Sequence, residues 1–365
     1  MTFQFSRHGL QGRERTLERV FELLPGLTSW TLLIGMCLLS FWRPVAAAVL
    51  IIAYDLYWLL RLFYMTLFLI MSYLRLSLER DTNWMARIAE VDRLAESAVP
   101  PSLALVPGTM AQRLLRWSHR RALRRLGRYP SLPPASQEIY HVVIMPIAKE
   151  PSDIFEPGIA SLAQQQFPAA RILIVLAVEA RAADSIHTGA REVQARYRDT
   201  FLDFLIVTHP DNLPEEARVK GANTTYAAKT VARYLLEREI AFERVIVSCF
   251  DADTVVNSHY MSCLTYHFLI CPQRTRASFQ PIPVYHNNIW DVPGFARVLD
   301  IGSSFFQLIE ATNAQRLVTF SSHSMSFQAL VDIGYWPVDM ISDDSAIFWK
   351  ALIHFDGDYR RSRCT

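Results

Sequence analysis

Residues 45–60, VAAAVLIIAYDLYWLL, carry 15 apolar side chains in 16 positions, interrupted only by Asp55, and residues 62–74 (LFYMTLFLIMSYL) continue the pattern. An amphipathic helix needs one apolar stripe; a stretch apolar all round needs a protein interior or hydrocarbon as its solvent. A hydrocarbon core of about 30 Å takes roughly 20 helical residues, and the run over 44–74 is long enough even when tilted. Residues 27–42 hold no charge, yet as a helix they would span only about 24 Å. Arg43-Pro44 between the runs suits the tip of a helical hairpin, with a single bent crossing as the alternative. Arginines flank the pair on both sides (Arg7, Arg13, Arg15, Arg19; then Arg75, Arg80, Arg87, Arg93), which puts both flanks in the cytoplasm of a plasma or inner membrane. A cleaved signal peptide does not fit, because the apolar region is too long and lacks a small-residue cleavage site. Asp55 and Arg61 fall on different helix faces rather than at i,i+4, so interhelix packing or a juxtamembrane place is expected for them.

Charge separates the rest of the chain in two. The 365 residues hold 37 Lys and Arg against 35 Asp and Glu, a net of +2, which disfavours a nucleic-acid binder or an acidic solvating protein. A hydrophobic share of 51% excludes wholesale disorder. Residues 1–135 hold 17 basic and 9 acidic residues, whereas 136–365 hold 20 and 26. Within the basic part, 111–128 (AQRLLRWSHRRALRRLGR) has seven arginines and no acid. That composition suits an interfacial helix on anionic headgroups; a solvated connector is the plain alternative, and RNA fits less well beside an apolar run. Proline-rich 129–136 marks a domain boundary. Five cysteines without C-x-x-C spacing point away from a disulfide framework or a common zinc site, and toward a reducing compartment.

From residue 139 the period changes. IYHVVIMP (139–146), RILIVLAVE (171–179), FLDFLIVT (201–208) and RVIVSCF (244–250) are short aliphatic runs, separated by helix-period stretches over 154–166, 182–197 and 215–239. Such alternation predicts a mostly parallel sheet covered on both faces, whose ligands bind beyond the carboxyl ends of the strands. The residues there are Pro146–Glu150, Glu179 and Asp251–Asp253. A D-x-D pattern is weak by itself, since 18 aspartates predict about one chance match, and Asp356-Gly357-Asp358 is a second one. Position favours the first: two carboxylates just past a buried strand suit a divalent cation through hard oxygens, against an ordinary Asx turn. Ser342-Asp343-Asp344 precedes an apolar helical stretch. Helix capping explains it, and paired carboxylates also suit a general base.

Taken in order, these features resemble the membrane-associated family 2 glycosyltransferases of GT-A fold, in the cellulose-synthase-like branch. VVIMPIAKEP (142–151) is similar to the PxxNE element, keeping Pro146 and Glu150 with Lys149 at the usual Asn. Lys220 and Asn223 match KxxN; Asp251-Ala252-Asp253 matches the metal motif; Gly334-Tyr335-Trp336 with Ser342-Asp343-Asp344 resembles GGW…TED. The resemblance covers about 139–360. It implies an α/β GT-A, Rossmann-like nucleotide-sugar domain behind N-terminal transmembrane helices. In that arrangement Pro146, Glu150 and Glu179 lie near the nucleoside of a nucleotide-diphospho-sugar, and Lys220 and Asp251 near its diphosphate. Asp251 and Asp253 hold Mg2+ or Mn2+, and Asp344, beside Asp343, is the base that activates a glycan or lipid-linked acceptor hydroxyl for an inverting displacement.

The implied organisation is a cytoplasmic segment over 1–26, a transmembrane hairpin over 27–75, basic juxtamembrane linker helices over 76–138 and the GT-A domain over 139–365. The family's Q/R-x-x-R-W motif is absent downstream of Asp344; Arg113–Trp117 matches it by coincidence in the basic linker, and a C-terminally incomplete enzyme is expected. Gln280, His323 and Trp336 are acceptor-side candidates, Trp336 as a surface for a sugar face, while His323 fits better as a structural histidine; Tyr285, His286 and Asn287 suit an acceptor loop or an ordinary one. The competing class is a non-catalytic membrane protein that keeps a nucleotide-sugar fold for binding or assembly.

Overall fold

The computed structural model describes residues 10–80, 82–97, 109–285, 289–290, 292–310 and 318–363. Internal packing separates two units that meet between Met71 and Ser72. The first contains α1 (Arg13–Trp42) and most of α2 (Pro44–Arg80), parted by Arg43 in an extended conformation (φ −145°, ψ 70°). Both helices are long and apolar enough to cross a membrane, with 18-residue stretches of mean hydropathy 1.6 and 1.8. The expectation of a short first helix is corrected: α1 begins at Arg13, and its 30 residues reach about 45 Å. Its polar first turns carry Arg19–Glu22 at 2.5 Å, and the helix continues through Pro25. There the hydroxyls of Thr28 and Ser29 donate to the carbonyls of Leu24 and Pro25.

The second unit starts with α3 (Trp84–Ser97) and α4 (Met110–Leu126). Sheet and helix then alternate through β1 (Tyr140–Ile147), α5 (Ser152–Ala163), β2 (Ile172–Glu179), α6 (Asp184–Tyr197), β3 (Asp203–His209), α7 (Lys220–Glu237) and β4 (Val245–Cys249). After them come α8 (Tyr260–Ile270), β5 (Ala277–Gln280), α9 (Gly294–Glu310), β6 (Ser324–Ser326), α10 (Phe327–Asp332), α11 (Asp343–His354) and β7 (Arg360–Arg363). The seven strands form one sheet in the order β3-β2-β1-β4-β6-β5-β7. Among the described residues only β6 runs antiparallel to its neighbours, so the sheet is mostly parallel, as the continuous apolar strands require.

Alternate residues of each strand face opposite sides, and the core divides accordingly. Val143, Met145, Ile174 and Leu176 pack with Phe155 and Ile159 of α5 and Val193 of α6. Val142, Ile144, Leu173 and Val175 pack with Ala227, Ala228, Val231 and Leu235 of α7. The segment expected to be a linker contributes to this core. Trp84, Ile88, Val91 and Leu94 of α3, with Leu123 and Leu126 of α4, are fully buried in the cluster that holds Tyr266 and Phe268 of α8. The six arginines of α4 lie beside that stripe, because only one face of the helix reaches the core.

Two elements differ from the sequence expectation in ways that bear on the site. α7 begins at Lys220, not Glu215: Glu215 is left-handed (φ 65°), Val219 is extended, and the Ala217 N–H donates to the Val338 carbonyl at 2.9 Å. β6 has only three residues, too few for a periodicity signal. Where α7 starts, Gly221 lies so close to the neighbouring backbone that a Cβ would sit 2.2 Å from the Pro337 carbonyl oxygen. Gly221→Ala is therefore expected to cost about 1–3 kcal/mol and to part α7 from the 337–343 stretch. Thermal unfolding in detergent checks this.

Candidate active site

The carboxyl ends of β1, β2 and β4 open on one cleft of about 610 Å³, lined by Pro146, Glu150, Glu179, Lys220, Asn223, Asp251 and Asp253, among others. All of the nucleotide-sugar and metal candidates therefore share one cavity, of a size suited to a small organic ligand. It lies beside β1, where the order of the strands reverses. A smaller polar pocket of about 100 Å³, lined by Glu179, Arg181, His209, Asp211 and Arg218, adjoins it through Glu179.

Each side chain is placed by its element. Past β1, the Glu150 carboxylate accepts from the backbone N–H groups of Ala148 (2.8 Å) and Lys149 (2.9 Å). Burial alone would raise this carboxyl, but the backbone donors outweigh it and hold it below its ordinary value. At the end of β2, Glu179 pairs with Arg181. Asn223 is 2% exposed and its Nδ2 donates to the Ala177 carbonyl at 2.7 Å, so it ties α7 to β2 under the cleft. After β4 the chain turns, with Thr254 N–H donating to the Asp251 carbonyl at 3.0 Å. Gly158 of α5 packs against this turn; a Cβ there would sit 2.5 Å from the Thr254 carbonyl oxygen. The other D-x-D match is a plain turn after α11, with Asp356 and Gly357 left-handed and Asp358 accepting from Gln273.

Lys220 joins the strand-end residues to the second acidic pair. Its Nζ donates to Asp251 Oδ1 at 2.7 Å and to Asp344 Oδ2 and Oδ1 at 3.1 and 3.3 Å. Burial alone would lower the Lys220 ammonium, but the Cys249 sulfur (once ionised), Asp251 and Asp344 outweigh it and raise it. Asp344 shows the mirror image. Burial would raise its carboxyl, while His323 and Lys220 hold it well below the usual carboxylate range. Lys220 is the dominant partner: His323 Nδ1 lies 3.4 Å from Asp344 Oδ1 without hydrogen-bond geometry and is charged only when protonated.

The adjacent aspartates have opposite environments. Asp343 is 2% exposed, and burial followed by the Asp344 charge pushes its carboxyl up to about 6. The folded state thus keeps a proton that the unfolded chain releases near 3.8. By linkage, stability falls as pH rises from about 4 through about 6. Asp343→Asn is expected to unfold at higher temperature than the parent at neutral pH, by up to about 3 kcal/mol, the gap closing toward acid. Paired melts across that range check it.

The acceptor-side candidates are corrected. Trp336 is 1% exposed, packed in the α7 core, and offers no face to a sugar. Gln280 is 2% exposed; its Oε1 accepts from Phe320 N–H at 2.7 Å and its Nε2 donates to the Ser321 carbonyl, so it shapes the chain behind Asp251. His323 is fully buried, beside Asp344 rather than on an open surface, and neither ring nitrogen has a hydrogen-bond partner among the described residues. Trp336 is covered by the core on the α7 side of the sheet, and Gln280 by the 320–321 backbone that it bonds. Tyr285 is described; His286 and Asn287 lie outside the described residues. Ser321 and Ser322, just before His323, are site residues that no sequence motif indicated. Ser321 Oγ donates to Asp251, and Ser322 Oγ accepts from Asp251 N–H at 3.3 Å and pairs with Thr254 Oγ1 at 2.7 Å. Ser322 is left-handed (φ 59°), a conformation such surrounding bonds sustain.

No family model matches the chain, and no curated protein matches it. Among solved structures, it is similar to the mannosyltransferase PcManGT from Pyrobaculum calidifontis, solved with GDP-Man and Mn2+, at 17% identity and TM-score 0.43. That match covers 77% of this chain and 66% of that one. It is also similar to S. aureus TarS, at 14% identity and TM-score 0.38, covering 59% of this chain and 34% of that one.

Proposed function

We propose that this chain is a membrane-anchored, metal-dependent glycosyltransferase of the family 2, GT-A type, in the cellulose-synthase-like branch. It moves a sugar with inversion from a nucleotide-diphospho-sugar to a glycan or lipid-linked hydroxyl. The observation that carries the reading is Lys220, whose ammonium joins a strand-end carboxylate, Asp251, to a second acid, Asp344, at the edge of a cleft that holds Glu150, Glu179 and Asp253. A cleft with one partly buried cation between two separately placed carboxylates has groups both for a diphosphate and for an acceptor proton.

In this reading Pro146, Glu150 and Glu179 frame the nucleoside and Lys220 meets the diphosphate. Among the described residues no cluster of three or more metal-ligating side chains occurs. Asp251 and Asp253 alone fit an Mg2+ or Mn2+ ion that takes its remaining ligands from substrate phosphates and water. Bound there, the ion would neutralise the departing nucleoside diphosphate. Asp344 accepts the proton of the attacking hydroxyl, and Asp343, buried behind it, keeps it in place. The helices α1 and α2 anchor the chain in a plasma or inner membrane, with the catalytic unit in the cytoplasm.

A panel of nucleotide-sugars, run with Mn2+ or Mg2+ on the full chain in lipid nanodiscs, tests this. Transfer from one donor that stops on chelation is expected, and product length then separates single transfer from polymer growth. Donor binding without turnover across the panel would favour the non-catalytic alternative.

A further inference from the structure

The outward face of α4 has no part in the cleft. This helix holds Arg113, Arg116, Arg120, Arg121, Arg124 and Arg125 and no acid. Its start is fixed by a capping box, in which Thr109 Oγ1 accepts from Gln112 N–H and the Gln112 side chain accepts from Thr109 N–H. Its rotation about its own axis is fixed by the core. His119 lies 2.7 Å from the Tyr266 hydroxyl and 2.8 Å from Glu90, one and two turns before buried Leu123 and Leu126. The opposite stripe is thereby turned outward: Met110, Leu114 and Trp117, at i, i+4 and i+7, are 87%, 61% and 55% exposed. One turn on, the Arg121 guanidinium lies 5.4 Å from the Trp117 ring centre.

Phosphates alone would account for the arginines. A phosphate backbone gains nothing from Met110 and Leu114, whereas a bilayer surface takes both, with cations on the headgroups and apolar tips among the upper acyl chains. The charge and the stripe therefore fit one partner together. We propose that α4 lies in the plane of an anionic phospholipid surface, with Met110, Leu114 and Trp117 inserted and the flanking arginines on lipid phosphates. This rests on the membrane reading of α1 and α2, and not on the sugar chemistry.

The test uses the full chain in nanodiscs of phosphatidylcholine alone or with phosphatidylglycerol, without any sugar donor, so it stands or falls apart from the transferase reading. Hydrogen exchange over 110–121 and quenching of Trp117 by brominated lipid are followed, with Trp117→Phe as the blank. Recovery of the chain in phosphatidylcholine discs reports on α1 and α2 separately. Slower exchange and stronger quenching in the phosphatidylglycerol discs are expected. In Arg121→Gln/Arg124→Gln/Arg125→Gln both are expected to be lost, since three neutralised arginines weaken surface affinity roughly 10²-fold at about fivefold each. These arginines are exposed, and an unchanged melting temperature certifies the fold of the variant. Identical exchange in both lipids, or full protection retained in the triple variant, overturns the proposal. So does protection by a short oligouridylate that exceeds that by phosphatidylglycerol, which would reassign the face to nucleic acid.

Discussion

Asp344→Asn is expected to lower sugar transfer by roughly 10²–10⁴-fold while the affinity for nucleoside diphosphate changes little. The amide keeps the shape of the side chain and can still accept from Lys220, but it cannot take up a proton. Access separates the two aspartates: the Asp344 side chain is 21% exposed at the cleft edge, whereas Asp343 is 2% exposed. Asp343→Asn should therefore retain far more activity, and a reversed order of the two variants would overturn the base assignment. The resting Asp344 carboxylate is a weak base because Lys220 holds its charge. In the proposed reading, a diphosphate beside Lys220 would give that ammonium a competing partner and free the carboxylate as the donor binds. Single-turnover kinetics at saturating donor, paired with equilibrium binding, give both readouts.

Lys220→Met should be damaging in two measurable ways. Removing the ammonium leaves Asp251 and Asp344 without their shared partner and Asp343 beside them. For a partly buried network, that costs on the order of 2 kcal/mol after allowing for solvent at Asp251, which is 38% exposed. The sign with pH follows from Asp344. Its folded carboxyl is depressed, so its pairing stabilises the fold above the ordinary 3.8 and is lost as pH falls through the lower folded value. The deficit of the variant is thus expected to be largest near neutrality and to shrink in acid, as melts at several pH values would reveal. Donor affinity should fall by ~10–10²-fold through loss of a charge-assisted contact to the diphosphate. Unchanged affinity would remove Lys220 from the donor site and leave it a structural tether.

Local periodicity made much of the framework legible. Four strands, the helices between them and the two apolar runs follow from side-chain spacing of two or 3.6, a property of adjacent residues. Because ligands gather at the carboxyl ends of parallel strands, those boundaries also indicated Pro146, Glu150, Glu179 and Asp251–Asp253 as neighbours, and one cleft contains them. Helical spacing of Leu115, Ala122 and Leu126 was legible in the basic segment, but not that α3 and α4 meet the core, because that depends on distant partners such as Tyr266. Burial of Gln280, His323 and Trp336 was likewise decided by distant chain packed around them, such as α7 beside Trp336 and the 320–321 backbone beside Gln280.

By itself, then, the amino-acid order determined the α/β alternation, the mostly parallel sheet, the two apolar runs and the strand-end carboxylates, while the full length of α1 appeared only in the structure. Tertiary structure alone decided that Lys220 stands between Asp251 and Asp344, 31 and 124 positions away, and that of two adjacent aspartates one is partly exposed and the other buried. Contacts across such separations depend on how whole elements pack. Gly221 against the Pro337 carbonyl brings the start of α7 to the start of α11, and no spacing along the chain encodes that approach.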